Sequence, residues 1–245
     1  MFSKKLLERL EDAKNIVFFT GAGISAESGI DTFRGKGGLW TKLKPEELAN
    51  FDAFMRNPDM VWEWYQYRRK IIDETKPNAA HLTIAEMEKY FDNVVVVTQN
   101  VDNLHGRAGS KTIYELHGNI ERNYCIKCET VYSSKDFSYE GNVPHCKCGG
   151  LIRPDIVWFG EMLPQDVFSS AEKAANECDI IFVVGTSAVV YPAAYIPIDA
   201  KRSGAYLVEI NLEKTELSHM ADESYFGKAG EVLPLLLQKH KEFSA

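Results

Sequence analysis

The chain has 245 residues, of which 45% are hydrophobic, 26% charged and 11% aromatic; this suits one substantial core with a smaller lobe and excludes a disordered or fibrous class. Its formal charge of −7 argues against nucleic-acid backbone as the main partner, whereas a cationic peptide would be mildly attracted. The longest apolar stretch, Ile180 to Ala194, is interrupted by Gly185-Thr186-Ser187 and Pro192 and is too broken to span a bilayer.

Ser3 to Lys14 carries Leu6, Leu7 and Leu10 among Lys, Glu and Arg, which predicts an amphipathic helix and not a signal peptide; the chain is expected to be cytoplasmic. Ile16 to Phe19 reads as a short buried strand, Thr20-Gly21-Ala22-Gly23 as a sharp turn, and Ile24 to Ser28 as the start of a helix. A strand running through a glycine turn into a helix is how an open α/β sheet cradles a nucleotide phosphate, with helix N–H groups aimed at the anion. Gly21-x-Gly23-x-x-Ala26 fits the relaxed dinucleotide fingerprint; the plainer reading is a turn that closes a tight corner. A dehydrogenase would continue to a second strand with an acidic ribose ligand about 20 residues on. Here the helix breaks at Gly29 and leads into Asp31-Thr32-Phe33-Arg34 and then Gly37-Gly38-Leu39-Trp40, a loop better suited to chemistry on the cofactor than to hydride transfer.

Pro45 to Phe54 and Pro58 to Asp73 read as two aromatic-rich helices outside the sheet, and Asn78 as the N-cap of a helix running to about Tyr90. Val94 to Val97 is a β-branched strand ending in Thr98-Gln99-Asn100-Val101-Asp102. Ile113 to Leu116 ends in His117-Gly118, Asp179 to Val184 in Gly185-Thr186-Ser187, and Tyr206 to Ile210 in Asn211-Leu212-Glu213. Each strand delivers polar residues at its carboxyl end, where open α/β sheets bind ligands. Gly230 to His240 is predicted to be a terminal helix with Pro234 in its first turn.

Tyr124 to Ile152 breaks this pattern and reads as a small metal-held lobe. Cys125-x-x-Cys128 can grip one metal from two sides of a turn. The second half, His145-Cys146-Lys147-Cys148, allows either Cys146 with Cys148 or His145 with Cys148. Four protein ligands leave no open position, so the metal would be structural. Cys178, alone before a strand, reads as a small core residue. Among the histidines, His81 falls in the first turn of a helix and His105 in a loop, whereas His117 stands at a strand's carboxyl end.

GAGIS-AESGI-x-TFR, followed in order by TQNVD, ELHGN, the split cysteine quartet, VWFGE, GTS and NLE, resembles the sirtuin family of NAD-dependent protein deacylases from about Asn15 to Ala229. Asp31 departs from the family, which usually has Pro there. The resemblance implies a Rossmann-like parallel-sheet domain in three pieces, 1–34, 76–121 and 153–245. It also implies a smaller domain made of a helical insertion, 35–75, and a zinc-binding module, 122–152. Soft thiolates and the family pattern favour one zinc on Cys125, Cys128, Cys146 and Cys148.

By the same resemblance, the amide oxygen of an acylated lysine attacks C1′ of the nicotinamide ribose of NAD and nicotinamide leaves. His117 then deprotonates a ribose hydroxyl, and water completes release of free lysine and O-acyl-ADP-ribose. Asn100 and Asp102, flanked by Gln99 and Val101, would hold the nicotinamide amide. Phe33 would shield the sugar carbon, with Thr32, Arg34 and Trp40 along the same loop. Gly21, Ala22, Gly23, Ser25, Gly185, Thr186 and Ser187 would hold phosphates, and Asn211, Leu212, Glu213 and Ala229 the adenosine end. Val157-Trp158-Phe159-Gly160-Glu161 resembles the strand that pairs with the substrate peptide.

Tyr65 and Arg68, i and i+3 on a helix, resemble the class III signature for malonyl- and succinyl-lysine, since a guanidinium beside a phenol can bind a carboxylate. The plainer reading is an aromatic stripe of Trp62, Trp64 and Tyr65 that packs the small lobe, with Arg68 or Arg69 reaching solvent. Mono-ADP-ribosyl transfer, an NAD-dependent oxidoreductase and a non-enzymatic zinc-ribbon module are the rival readings. The oligomeric state is left open.

Overall fold

A computed structural model describes residues 2–33 and 44–244. Arg34 and Trp40 lie outside the described residues. The chain opens with α1 (Lys4–Asp12), capped by the Ser3 hydroxyl, which accepts from the Leu6 N–H. β1 (Asn15–Thr20) and α2 (Ala22–Ala26) follow, joined by Gly21. The predicted helix from Pro45 is split into α3 (Pro45–Leu48) and α4 (Phe51–Arg56), because Asn50 is extended and caps the second piece through its side chain. Pro58 opens α5 (Pro58–Glu74) behind the Asn57 cap, where its missing N–H costs nothing. Asn78 caps α6 (Ala79–Met87), with His81 reaching back to complete a capping box.

β2 (Asn93–Thr98), the one-turn helix α7 (Leu104–Ala108) and β3 (Thr112–Glu115) come next. His105 therefore sits in α7 and not in a loop. The lobe is built from β4 (Gly118–Cys125), β5 (Val131–Ser133) and β6 (Ile152–Ile156), an antiparallel sheet in the order β5-β4-β6. The rest is α8 (Gln165–Asn176), β7 (Ile180–Val184), α9 (Tyr195–Arg202), β8 (Tyr206–Asn211), β9 (Glu223–Phe226) and α10 (Ala229–Phe243). Pro234 lies inside α10 and not in its first turn: the helix starts at Ala229, so the ring falls where an N–H would otherwise reach the Gly230 carbonyl.

The large sheet has six parallel strands in the order β3-β2-β1-β7-β8-β9. Alternation sends Phe18, Val96, Phe182 and Val208 to one face, against Leu10 of α1, Ile84 of α6 and Leu236 of α10. Phe19, Val97, Val183 and Leu207 face the opposite layer, with Ala171 of α8 and Ile196 of α9. Both faces are covered, which is why these strands read as unbroken apolar runs. Cys178 packs in the second layer, as the sequence suggested. The chain departs in opposite directions from β1 and β7, and that switch point opens a crevice at their carboxyl ends.

A third core joins the two insertions. Phe54, Trp62 and Tyr65 from the helices pack with Ile120, Ile152, Ile156 and Trp158 from the lobe. The segment 157–161 is a turn after β6 and not a strand: Gly160 has φ +89°, and the Glu161 carboxylate accepts from the Trp158 N–H at 2.8 Å. The Phe159 N–H is bonded to Ala49 O at 2.9 Å, which docks the turn on the helical insertion.

Candidate active site

At the switch point two turns touch through backbone. The Gly21 N–H donates to Val184 O at 3.0 Å and the Gly23 N–H to Gly185 O at 2.7 Å. A Cβ on Gly23 would meet the Gly185 Cα at 2.7 Å, and one on Gly185, at φ +59°, would meet the Ile24 N at 2.4 Å. The glycines thus fit the two turns to each other, a requirement the dinucleotide fingerprint does not mention. The Gln99 side chain donates to Thr186 Oγ1 at 2.9 Å and the Asn211 side chain to Thr186 O at 3.0 Å. The ends of β2, β7 and β8 are so tied together, with Ser187, Leu212 and Glu213 exposed beyond them. Ala229 is buried at the start of α10.

Beside this seam Asn100 Nδ2 donates to Gly21 O at 3.0 Å and to Ser25 Oγ at 3.2 Å, and Ser25 Oγ donates to Asp102 Oδ2 at 2.7 Å. Ser25, expected among the phosphates, has its hydroxyl proton directed to Asp102. Burial pushes the Asp102 carboxyl up, against the Leu104 N–H, the Ser25 hydroxyl and the charge of Arg68. Underneath, Thr20 Oγ1 bonds Thr98 Oγ1 at 2.9 Å and His105 Nε2 at 3.0 Å, and the His81 and His105 rings stand 4.8 Å apart. Burial lowers His81 to about 4 and His105 well below the usual imidazole range. The sequence gives Thr20 and Thr98 no role of their own and places His105 in a loop. Thr20 and Thr98 do end their apolar runs in register, the one signal that could have found them.

His117 Nδ1 lies 3.0 Å from the Gln99 carbonyl oxygen. A carbonyl can only accept, so Nδ1 carries the proton and Nε2 keeps its lone pair. Burial lowers the imidazole pKa and the Gln99 carbonyl partly restores it, so the ring is neutral at pH 7.

The four cysteines converge: ligand atoms of Cys125, Cys128, Cys146 and Cys148 lie within 4.8 Å of one another. His145 is exposed and engaged with Leu151 through backbone, so the quartet forms without it. Four soft sulfur donors closing on one point fit a structural zinc with no open position. Tyr132 donates to Cys146 Sγ at 3.1 Å, an outer bond of the kind that steadies a ligand.

On α5 the Tyr65 hydroxyl accepts from the Trp158 indole N–H at 2.8 Å. The Arg68 guanidinium lies 5.0 Å from the Phe33 ring centre and 5.9 Å from that of Trp64. Among the described residues no carboxylate forms an ion pair with Arg68, although it is only 6% exposed. Arg69 is spoken for: its Nε donates to Ile120 O at 2.7 Å, and its two amino groups bond Gln66 and Asn123. Neither arginine reaches solvent, which removes the snorkelling reading.

A doubly covered parallel sheet with a glycine seam at its switch point, and a neutral imidazole at its carboxyl edge, defines a dinucleotide-dependent α/β enzyme. The chain belongs to the Sir2 family, whose profile matches residues 21–192. It is 53% identical over 233 residues to NAD-dependent protein deacylase 2 of Pyrobaculum aerophilum, covering 95% of this chain and 93% of that one. It is 52% identical over 234 residues to the NAD-dependent protein deacylase of Pyrococcus furiosus, covering 93% and 94%. A solved Sir2 homolog–NAD complex superposes with a TM-score of 0.92 at 45% identity, over 99% of this chain and 95% of that one. A Sir2–p53 peptide–NAD+ complex does so at 0.87 and 36%, over 99% and 100%. The protein is an NAD-dependent protein deacylase with a structural zinc site. Among the described residues no helix is long and apolar enough to cross a membrane.

Proposed function

We propose that the protein removes succinyl and malonyl as well as acetyl groups from lysine side chains, giving nicotinamide, free lysine and O-acyl-ADP-ribose. The observation that carries the acidic-acyl part is Arg68, a buried guanidinium without a carboxylate partner among the described residues, one helical turn from a buried phenol. Asp102 and Asp31 favour the charge of Arg68 without forming an ion pair with it, and an acyl carboxylate would give the guanidinium a direct partner through bidentate bonds.

NAD supplies an electrophilic sugar carbon with nicotinamide as the leaving group. The N–H groups of Gly21, Gly23 and Gly185 are spent on Val184, Gly185 and Ile210, so the glycines let the phosphates come close while Ala22, Thr186 and Ser187 beside the seam hold them. Asn100, its amide N–H groups spent on Gly21 and Ser25, has Oδ1 to accept from the nicotinamide amide. Phe33 covers the reacting sugar, and its ring is itself covered by Arg68. His117 takes a ribose hydroxyl proton at Nε2, because Nδ1–H is committed to Gln99. The peptide lies along the turn 157–161.

Arg68→Met is expected to lower kcat/KM for a succinyl peptide by about a hundredfold, the cost of charge-assisted bonds, and for the matching acetyl peptide much less. Equal losses on both peptides would count against acidic-acyl recognition. His117→Ala is expected to slow deacylation of every acyl peptide by about 10²–10⁴-fold. With a lowered His117 pKa, the wild-type rate is expected to be flat above neutrality and to fall with acid only below about 6.5.

A further inference from the structure

Trp158 is 2% exposed and constrained at three points. The Arg153 guanidinium lies over its ring, 3.4 Å from the centre. Its backbone N–H donates to Glu161 Oε2 at 2.8 Å, and its indole N–H donates to the Tyr65 oxygen at 2.8 Å. Arg153 is in turn fixed: Nη1 donates to Glu161 Oε1 at 2.5 Å, and Nη2 donates to Glu161 Oε2 at 3.0 Å and to Ile156 O at 2.8 Å. The arginine, 1% exposed, forms a two-pronged clamp on the carboxylate that also holds the Trp158 backbone.

An indole N–H can donate and cannot accept. The Tyr65 oxygen must therefore accept from Trp158, and its own proton is aimed at something else. Accepting one bond polarises the phenol and strengthens the bond it donates. Burial raises the Tyr65 pKa, so the hydroxyl stays protonated at neutral pH.

We infer that Trp158 is a positioning residue for acyl recognition: clamped by Arg153 and Glu161, its indole N–H locks Tyr65 as a donor, so that Tyr65 and Arg68 present only donors to the acyl chain. Such a pair favours an acyl group that ends in an acceptor, a carboxylate above all. This rests on the reading that Tyr65 and Arg68 meet the acyl group, and it adds the element that fixes the direction of one of them. The geometry of the clamp also explains why 157–161 turns instead of extending: the Glu161 carboxylate is drawn back to Arg153.

The test is a double-substitution cycle in the full-length, zinc-loaded protein, with succinyl and acetyl forms of one peptide. Trp158→Phe keeps a ring for Arg153 and deletes the N–H. It is expected to lower the succinyl-to-acetyl ratio of kcat/KM by about tenfold, the worth of one hydrogen bond, mainly through KM for the succinyl peptide. Tyr65→Phe is expected to lower that ratio similarly, and the double variant no further than Tyr65→Phe alone, because without the Tyr65 hydroxyl the Trp158 N–H has nothing left to orient. A merely structural role would lower both peptides together and would add to Tyr65→Phe; either outcome overturns the inference. If Trp158→Phe lowers Tm enough to obscure kinetics, Arg153→Lys keeps the indole and charge but loses the planar fork. An unchanged ratio in that variant overturns the inference as well. Arg68→Met separates the two levels. If it leaves the ratio intact, the acyl reading itself fails; if it lowers the ratio while Trp158→Phe does not, only the positioning role fails.

Discussion

The six-stranded sheet and the small lobe are held together by different physics. Val95 to Val97 and Ile180 to Val184 bury aliphatic and aromatic side chains on both faces of the sheet. In and against the lobe, two arginines, Arg69 of α5 and Arg153 of β6, are 2% and 1% exposed, and the cysteine quartet closes the far end. The lobe's strands are too few and too short to enclose a core of their own, so a metal and bonded guanidinium groups supply what area cannot. A sheet built on apolar area tolerates exchange of one aliphatic for another. A lobe built on directed bonds does not.

That contrast can be broken most directly by removing the metal. Structural zinc contributes on the order of 10 kcal/mol to folding of small sites. A strong chelator is therefore expected to unfold β4 to β6 while most helical and parallel-strand signal survives. The described tryptophans, Trp62, Trp64 and Trp158, belong to or pack on the lobe core, so their fluorescence should shift red as far-UV circular dichroism holds. Coincident loss of both signals would show the two regions to be one cooperative unit.

The converse substitution is Phe182→Ala in the middle of β7, where the ring stacks on Phe18 at 4.9 Å. It is expected to cost about 3–5 kcal/mol, read as a lowered denaturant midpoint, with one zinc per chain retained. Loss of zinc in that variant would show that the sheet and the lobe are coupled.

A third expectation is smaller and concerns protons. His81 and His105 are buried neutral beneath the sheet's carboxyl edge, with His81 lowered to about 4. Between that value and the unfolded value near 6.5 the unfolded chain binds more protons, so stability falls as pH falls through this window and is fully present above it. For His81 the loss is on the order of 3 kcal/mol. Asn replacement of His81 should flatten the dependence of Tm on pH between 6.5 and 4, with the wild-type slope unchanged if the imidazole is not responsible.

The sheet was legible because its strands repeat one message: an apolar run, then polar residues at the carboxyl end. Val94 to Val97 and Asp179 to Val184 needed no further information, and Asn78 announced its helix by capping chemistry. The half-buried edge strand β9 and the helices α8 and α9 carry weaker patterns and were passed over. The cysteine spacing left His145 and Cys146 in competition, and only the fold decides, by turning His145 outward. The turn at 157–161 could not be read from VWFGE, since what bends it is Arg153, four residues upstream of the segment and held by a carboxylate at its end. Tyr65 and Arg68 were legible as a pair by helical spacing, whereas the donor that orients Tyr65 comes from 93 residues away.

The seam of Gly21, Gly23 and Gly185 bears on how quickly a nucleotide can be captured. Because neighbouring crossovers already share hydrogen bonds and leave no space for a methyl group between them, the pocket floor is finished before any guest arrives. Fixing a wandering backbone costs about 1–2 kcal/mol per residue, and here that expense falls on folding instead of on docking. If NAD docks on this floor as proposed, its capture is expected to be limited by diffusion and orientation.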